Sequence, residues 1–161
     1  MKLQFSGSPE VTATRERVWA ALLDPRFVAA SAPGVEDVEV ISPERYDLHL
    51  GLGVAFIKVH VVMHVLMHDL EPGRSAKLTA TGTAPGTEVE VRSHIRIEAL
   101  STDRQRLNWE AEGQVHGALA GLGARLLEGV VRSFTEDFWN DFARRVSAGG
   151  TAQIPSSADG P

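Results

Sequence analysis

The 161-residue chain contains no cysteine, which excludes disulfides, thiolate metal centres and cysteine nucleophiles. It also lacks a basic excess, with 16 Lys and Arg against 21 Asp and Glu and a formal net charge of -5. No cationic stripe is then available to neutralise phosphates, so nucleic-acid binding is disfavoured. No run of about 18 apolar residues occurs, and Met1-Lys2-Leu3 leads into a strand instead of a signal-type apolar stretch. The expectation is a cytoplasmic protein whose membrane contact, if any, is peripheral and on the inner face. No internal repeat is visible.

A hydrophobic fraction of 43% with 23% charged residues fits a soluble globular protein. The length suits one domain with a proper core. That domain is expected over residues 1–146, followed by a flexible tail over 147–161, which is small, polar and rich in Pro and Gly.

Alternation of Leu3 and Phe5 with polar neighbours predicts a strand over Lys2 to Glu10. Thr14 suits the N-cap of a short helix carrying Val18, Trp19, Leu22 and Leu23. Pro25 suits the first position of a second short helix, through Ala30, stopped by Pro33-Gly34. Six strands then follow: Val35 to Ile41, Tyr46 to Leu52, Phe56 to His68, Ala76 to Ala84, Thr87 to Ala99 and Arg104 to Val115. Their short, turn-like connections favour an antiparallel meander. A long helix from about Ala118 to Val146 closes the chain, with Leu119, Leu122, Leu126, Val130, Phe134, Phe138 and Phe142 drifting along one face. One long helix across a sheet is the economical cover for its apolar face.

The last three strands carry an unusual inner face. Its alternate positions are Ala76, Leu78, Ala80, Gly82 and Ala84, then Val89, Val91, Ser93, Ile95 and Ile97, then Leu107, Trp109, Ala111, Gly113 and Val115. In antiparallel register the small residues gather at one end. Interiors pack densely, so such a patch must be filled by another element or by a guest. The expected pocket is bounded by Leu50, Leu52, Ile57, Val59, Ala80, Gly82, Ala84, Val89, Val91, Trp109, Ala111, Gly113 and Val115, under Leu119, Leu122, Gly123 and Leu126 of the final helix. Its mouth is expected between the turns at Gly53 and Pro85-Gly86 and the helix start.

Three histidines, His60, His64 and His68, recur every four residues. On a helix they would share a metal ion. Their segment is rich in β-branched residues, and on a strand the four-residue step spans about 13 Å. They are read as the polar outer face of a strand whose inner face is Ile57, Val59, Val61, Met63, Val65 and Met67. No metal site is expected. The inward series offers Ser93, Tyr46 and Trp109 but no acid or base, so no catalytic set is expected. Tyr46 and Trp109 are expected to hydrogen-bond at the edge of the core. Gly117, Gly121, Gly123 and Gly129 weaken the first half of the final helix, either for close packing or to let it lift. Glu128 with Arg132, and Asp141 with Arg145, are spaced for exposed ion pairs.

The element order and particular residues resemble the CoxG family of carbon monoxide dehydrogenase accessory proteins, within the START-related helix-grip (SRPBCC) superfamily. The matching pieces are Glu16-Arg17-Val18-Trp19 with Leu22-Leu23-Asp24-Pro25, and Pro33-Gly34-Val35-Glu36. Further on are Gly51-Leu52-Gly53 with Lys58, the Asp69-Leu70-Glu71-Pro72 turn, and the glycine-rich start of the final helix from Gly117 to Gly129. The match runs from Met1 to about Val146. It implies an α+β helix-grip fold: a curved seven-stranded antiparallel sheet around a long C-terminal helix, with two short helices after the first strand. It also implies a hydrophobic pocket and an accessory role beside a molybdenum hydroxylase of the CO dehydrogenase type. The histidine run after Gly53 departs from the family pattern.

The resulting expectation is a non-enzymatic carrier without a cofactor of its own. Its ligand would be an extended apolar molecule, either an isoprenoid quinone such as menaquinone or a lipid. Two alternatives remain open, a small enzyme of the polyketide cyclase and dehydratase type and an interaction module that helps mature the dehydrogenase.

Overall fold

The computed structural model describes residues 1–148. The first predicted strand is interrupted at Ser8-Pro9 and forms two pieces, β1 (Lys2–Gly7) and β2 (Glu10–Val11). Both pair with the last strand. Pro9 has no N–H to give to the ladder, which accounts for the break.

Helix α1 (Arg15–Leu22) begins where expected, with the Thr14 hydroxyl accepting from the Arg17 N–H. Helix α2 (Pro25–Ser31) is capped by Asp24, whose carboxylate accepts from the Arg26 and Phe27 N–H groups. The meander follows as β3 (Val35–Ser42), β4 (Arg45–Val54), β5 (Ile57–Glu71), β6 (Ser75–Ala84), β7 (Thr87–Ser101) and β8 (Arg104–Gly117). The antiparallel sheet is open, in the order β1-β8-β7-β6-β5-β4-β3. The expected register holds: Ala80 faces Val91, Val91 faces Gly113, and Gly82 faces Val89, which faces Val115.

The final helix differs from expectation. Residues Ala118–Leu122 form a short 3-10 helix, and the α-helix α3 runs Ala124–Ser147. The break is conformational. Gly117 (φ 98, ψ -149) and Gly123 (φ 97, ψ 150) bracket the short segment in a region essentially reserved for glycine. Gly117 also lies so close to the Gly86 carbonyl that a side chain there would collide with it. The expected tail is displaced accordingly: Ser147 belongs to α3 and its hydroxyl accepts from the Thr12 N–H. Residues 149–161 lie outside the described part.

Helix α3 buries Leu127, Trp139, Phe142 and Val146. Leu122 and Leu126, expected on the buried face, are instead 42% and 37% exposed. The missing α-helical turn before Gly123 changes the phase of the stripe, and Leu127 takes the inward place. The far half of α3 is firmly anchored. Trp139 stacks on Trp109 with centroids 6.0 Å apart, and Phe142 meets the edge of Phe27 at 5.4 Å. Replacing the fully buried Phe142 by alanine would cost about 3–5 kcal/mol.

Candidate ligand-binding site

The buried core falls into three clusters instead of one. The first joins Trp109, Leu107 and Ile95 to Trp139 and Phe142. The second holds Tyr46, Leu48, Leu50, Val65, Met67, Ala76 and Ala80, with Met63, Val91 and Phe134 packed against it. The third holds Leu3, Val54, Val115 and Leu127, with Val59, Val89, Leu119 and Val130 at its border. Between them, Val91, Ala111 and Gly113 are only half-buried, although they sit on the inner face of central strands. A Cβ on Gly113 would meet a single atom, the Glu90 carbonyl oxygen at 3.7 Å. The space above Gly113 is open.

An open cleft of about 640 Å³ lies beside α3, within the size range of small-molecule sites. One wall is Pro33, Gly34 and Gly51 to Gly53; the other is Arg125, Leu126, Gly129, Val130, Ser133, Phe134 and Asp137 of α3. The first wall is held by the Gly51 N–H donating to the Gly34 carbonyl at 2.8 Å. Gly34 has φ 79, which suits glycine at this close approach. Val130 and Phe134 line the cleft and also pack on the third and second clusters, so they form the partition between cleft and core.

Of the predicted lining residues, Leu52 and Leu126 border this cleft. Leu50 and Ala80 are packed in the second cluster, and Trp109 in the first. Val115 is buried in the third, with Val59, Val89 and Leu119 beside it. Ala84 borders a separate recess with Gly86, Thr87, His116 and Gly117. Ile57 and Leu122 are exposed, and Phe56 beside Ile57 is fully so. Gly123 is the helix break. The expected single mouth is therefore two openings. The Ala118 N–H donates to the Gly86 carbonyl at 2.8 Å, which seats the 3-10 segment on the β6–β7 turn and separates that turn from Gly53.

Pro33, Gly34, Gly51, Arg125, Gly129, Val130, Ser133, Phe134 and Asp137 line the cleft without belonging to the predicted pocket. A signal existed for the helical ones. Arg125, Gly129, Ser133 and Asp137 recur at every fourth position, as do Leu126, Val130 and Phe134. The helix begins at Gly123 without a side-chain cap and with no acidic residue in its first turn. Arg125 thus stands at the positive end of the helix dipole, an unfavourable place for a cation.

The histidines face outward as expected. His60 contacts Glu36 at 3.2 Å, His64 contacts Asp47 at 2.8 Å, and His68 contacts the Thr79 hydroxyl at 2.7 Å. The His60 hydrogen bond is the leading cause that holds the Glu36 carboxyl below its usual range. Among the described residues no cluster of His, Cys, Asp or Glu is arranged to hold a metal ion.

Inward polar groups are few. Ser93 donates to the Glu110 carbonyl. Trp109 Nε1 is buried with no partner among the described residues, contrary to the expected hydrogen bond. Gln105, which the inward series omitted, is fully buried and donates to the Ala13 and Ser101 carbonyls. Asp141 pairs with Arg145 as expected, whereas Glu128 and Arg132 do not pair with each other. Exposed pairs contribute little, so the difference is small in energy.

This arrangement, an open antiparallel sheet crossed by a long C-terminal helix, is the START-like helix-grip fold. The chain belongs to the carbon monoxide dehydrogenase CoxG family, which it matches over residues 7–147. No curated protein matches the sequence. Among solved structures, a conserved protein from Geobacillus kaustophilus is 26% identical with a TM-score of 0.84, over 92% of this chain and 97% of that one. A START superfamily protein from Mycobacterium smegmatis is 13% identical with a TM-score of 0.68, over 90% and 97%. The Zhui aromatase/cyclase from Streptomyces sp. R1128 is 20% identical with a TM-score of 0.66, over 94% and 100%. The last two likenesses concern the fold alone. No helix among the described residues is long and apolar enough to cross a membrane.

Proposed function

We propose that this chain is a non-enzymatic carrier for an extended hydrophobic molecule, accessory to a molybdenum-containing enzyme of the CO dehydrogenase type. The ligand is an isoprenoid quinone such as menaquinone, or a lipid. The observation that carries this reading is the apolar wall of Leu126, Val130 and Phe134, which lines an open cleft beside a core left unfilled above Gly113. Membership of the CoxG family supports the enzymatic partner.

A cyclase-like enzyme of the same fold would need an acid or base beside its substrate. The one carboxylate in the cleft, Asp137, is exposed. It stands twelve residues from Arg125, about 18 Å along the helix, so the two do not form a working pair. A protein-interaction module for the dehydrogenase is the remaining alternative.

Peripheral membrane contact belongs to the same proposal. Phe56 and Ile57 protrude from the hairpin tip that adjoins the Gly51 to Gly53 wall.

Solvent extraction of the purified protein, followed by mass spectrometry, should release an isoprenoid or acyl compound. Reloading the extracted protein at about 100 times Kd should stabilise it by about 2.7 kcal/mol, a melting shift of about 2–4 °C per kcal/mol. No shift with any such compound, together with specific capture of the dehydrogenase by the empty protein, would favour the interaction-module reading instead.

A further inference from the structure

Resting on the carrier reading, we propose that the cleft binds its ligand in one orientation, with an oxygen-bearing head at Arg125 and the chain running along α3 toward Phe134. Two parallel rows of α3 side chains face the cleft. The inner row, Leu126, Val130 and Phe134, is apolar, and its last two members lie against the core clusters. The outer row begins with Arg125, passes Ser133 and ends with Asp137. Four-residue spacing keeps each row on one side of the helix, and the whole rail is about 18 Å long. The cleft is thus apolar on its inner side and oppositely charged at its two ends.

Arg125 forms no ion pair among the described residues, although Glu36, Asp141 and Glu112 elsewhere all hold cations. Its guanidinium presents donors only, so it suits an acceptor oxygen: a quinone carbonyl, a carboxylate or a phosphate. Asp137 presents acceptors only and repels such a head from the far end. Lys58, at the start of β5, is engaged by Glu36 at 3.4 Å, which leaves Arg125 as the free donor group of the cleft. Residues of both kinds in a plain apolar cleft would be idle; at opposite ends they set direction.

The test uses delipidated full-length protein and displacement of Nile red by three probes: menaquinone-4 with a quinone head, palmitate with a carboxylate head, and squalene with no head. Arg125→Leu should weaken at least one headed probe about tenfold or more, as loss of a charged hydrogen bond does, and leave squalene unchanged. Arg125→Lys should recover part of the loss, and Arg132→Leu, exposed on α3 away from the cleft, should change nothing. A loss confined to palmitate identifies an anionic head, one confined to menaquinone-4 a carbonyl head, and both support the orientation. Equal loss of all three probes, or no loss of any, overturns it. If the unmodified protein binds none of them, the carrier reading itself fails.

Discussion

The thioether sulfur of Met63 occupies the place where a side chain on Gly82 would begin, since a Cβ there would lie 2.5 Å from it. The two residues face each other in the β5–β6 ladder. Part of the hollow that small residues create is therefore filled from within, by an unbranched and adaptable side chain. The open remainder lies further along the sheet, above Gly113.

Met63→Ala should remove this plug. The expected cost is about 2 kcal/mol, the low end for such truncations because Met63 is only half-buried. The variant should also accept bulkier ligands. Gly82→Ala should displace Met63 and cost about 1 kcal/mol by overpacking. Urea denaturation checks both; an unchanged midpoint for the two variants would mean that Met63 is not packed on Gly82.

Gly113→Leu should fit, because added volume enters open space. Stability should change by less than about 1.5 kcal/mol, while binding of an apolar probe should be lost. Wild-type-like binding by this variant would remove the space above Gly113 from the ligand site.

The glycines at the helix start should separate into two kinds. Gly117→Ala and Gly123→Ala place a side chain at φ 98 and 97 and should each destabilise by about 1–3 kcal/mol. Gly129→Ala, in helical backbone with nothing within 4 Å, should stabilise by about 0.5–1 kcal/mol. Hydrogen exchange should be faster across Ala118–Leu122 than across Phe134 to Phe142, and ligand should slow it mainly in the former. Equal protection of both stretches would show that the bracketed segment does not open.

Tyr46, the one tyrosine of the chain, is buried, and desolvation pushes its phenol up to about 12. The folded state therefore holds this proton more tightly than the unfolded state, whose phenol titrates near 10. Its contribution is fully present below about pH 10 and is lost as pH rises toward 12, on the order of 2–3 kcal/mol. Tyrosinate absorbance should rise only near pH 12 or on unfolding, and Tyr46→Phe should blunt the alkaline loss. Ionisation of the folded protein near pH 10 would contradict the burial.

Local rules make much of this molecule legible in one dimension. Alternation assigns β5 its inner and outer faces, so the histidines resolve into a surface strip without any three-dimensional information. Thr14, Asp24 and Pro25 mark the two short helices because capping is settled within three or four residues. The small-residue register across β6, β7 and β8 follows from tight turns, which leave little freedom to slip.

The helix start departs from its sequence pattern for a local reason too: two glycines signal weakness in a sequence but not their sign of φ. That sign is imposed by contact with the β6–β7 turn, where Gly117 meets Gly86. It then rotates the stripe, so Leu127 goes in and Leu126 goes out. By itself, the sequence determined the element order, the strand faces and the presence of small residues, since each depends on neighbours a few positions away. Only the tertiary structure decided where space remains, because a void is what long-range packing leaves over: Met63 closes it at Gly82, nothing closes it at Gly113, and α3 opens it between Gly51 and Val130.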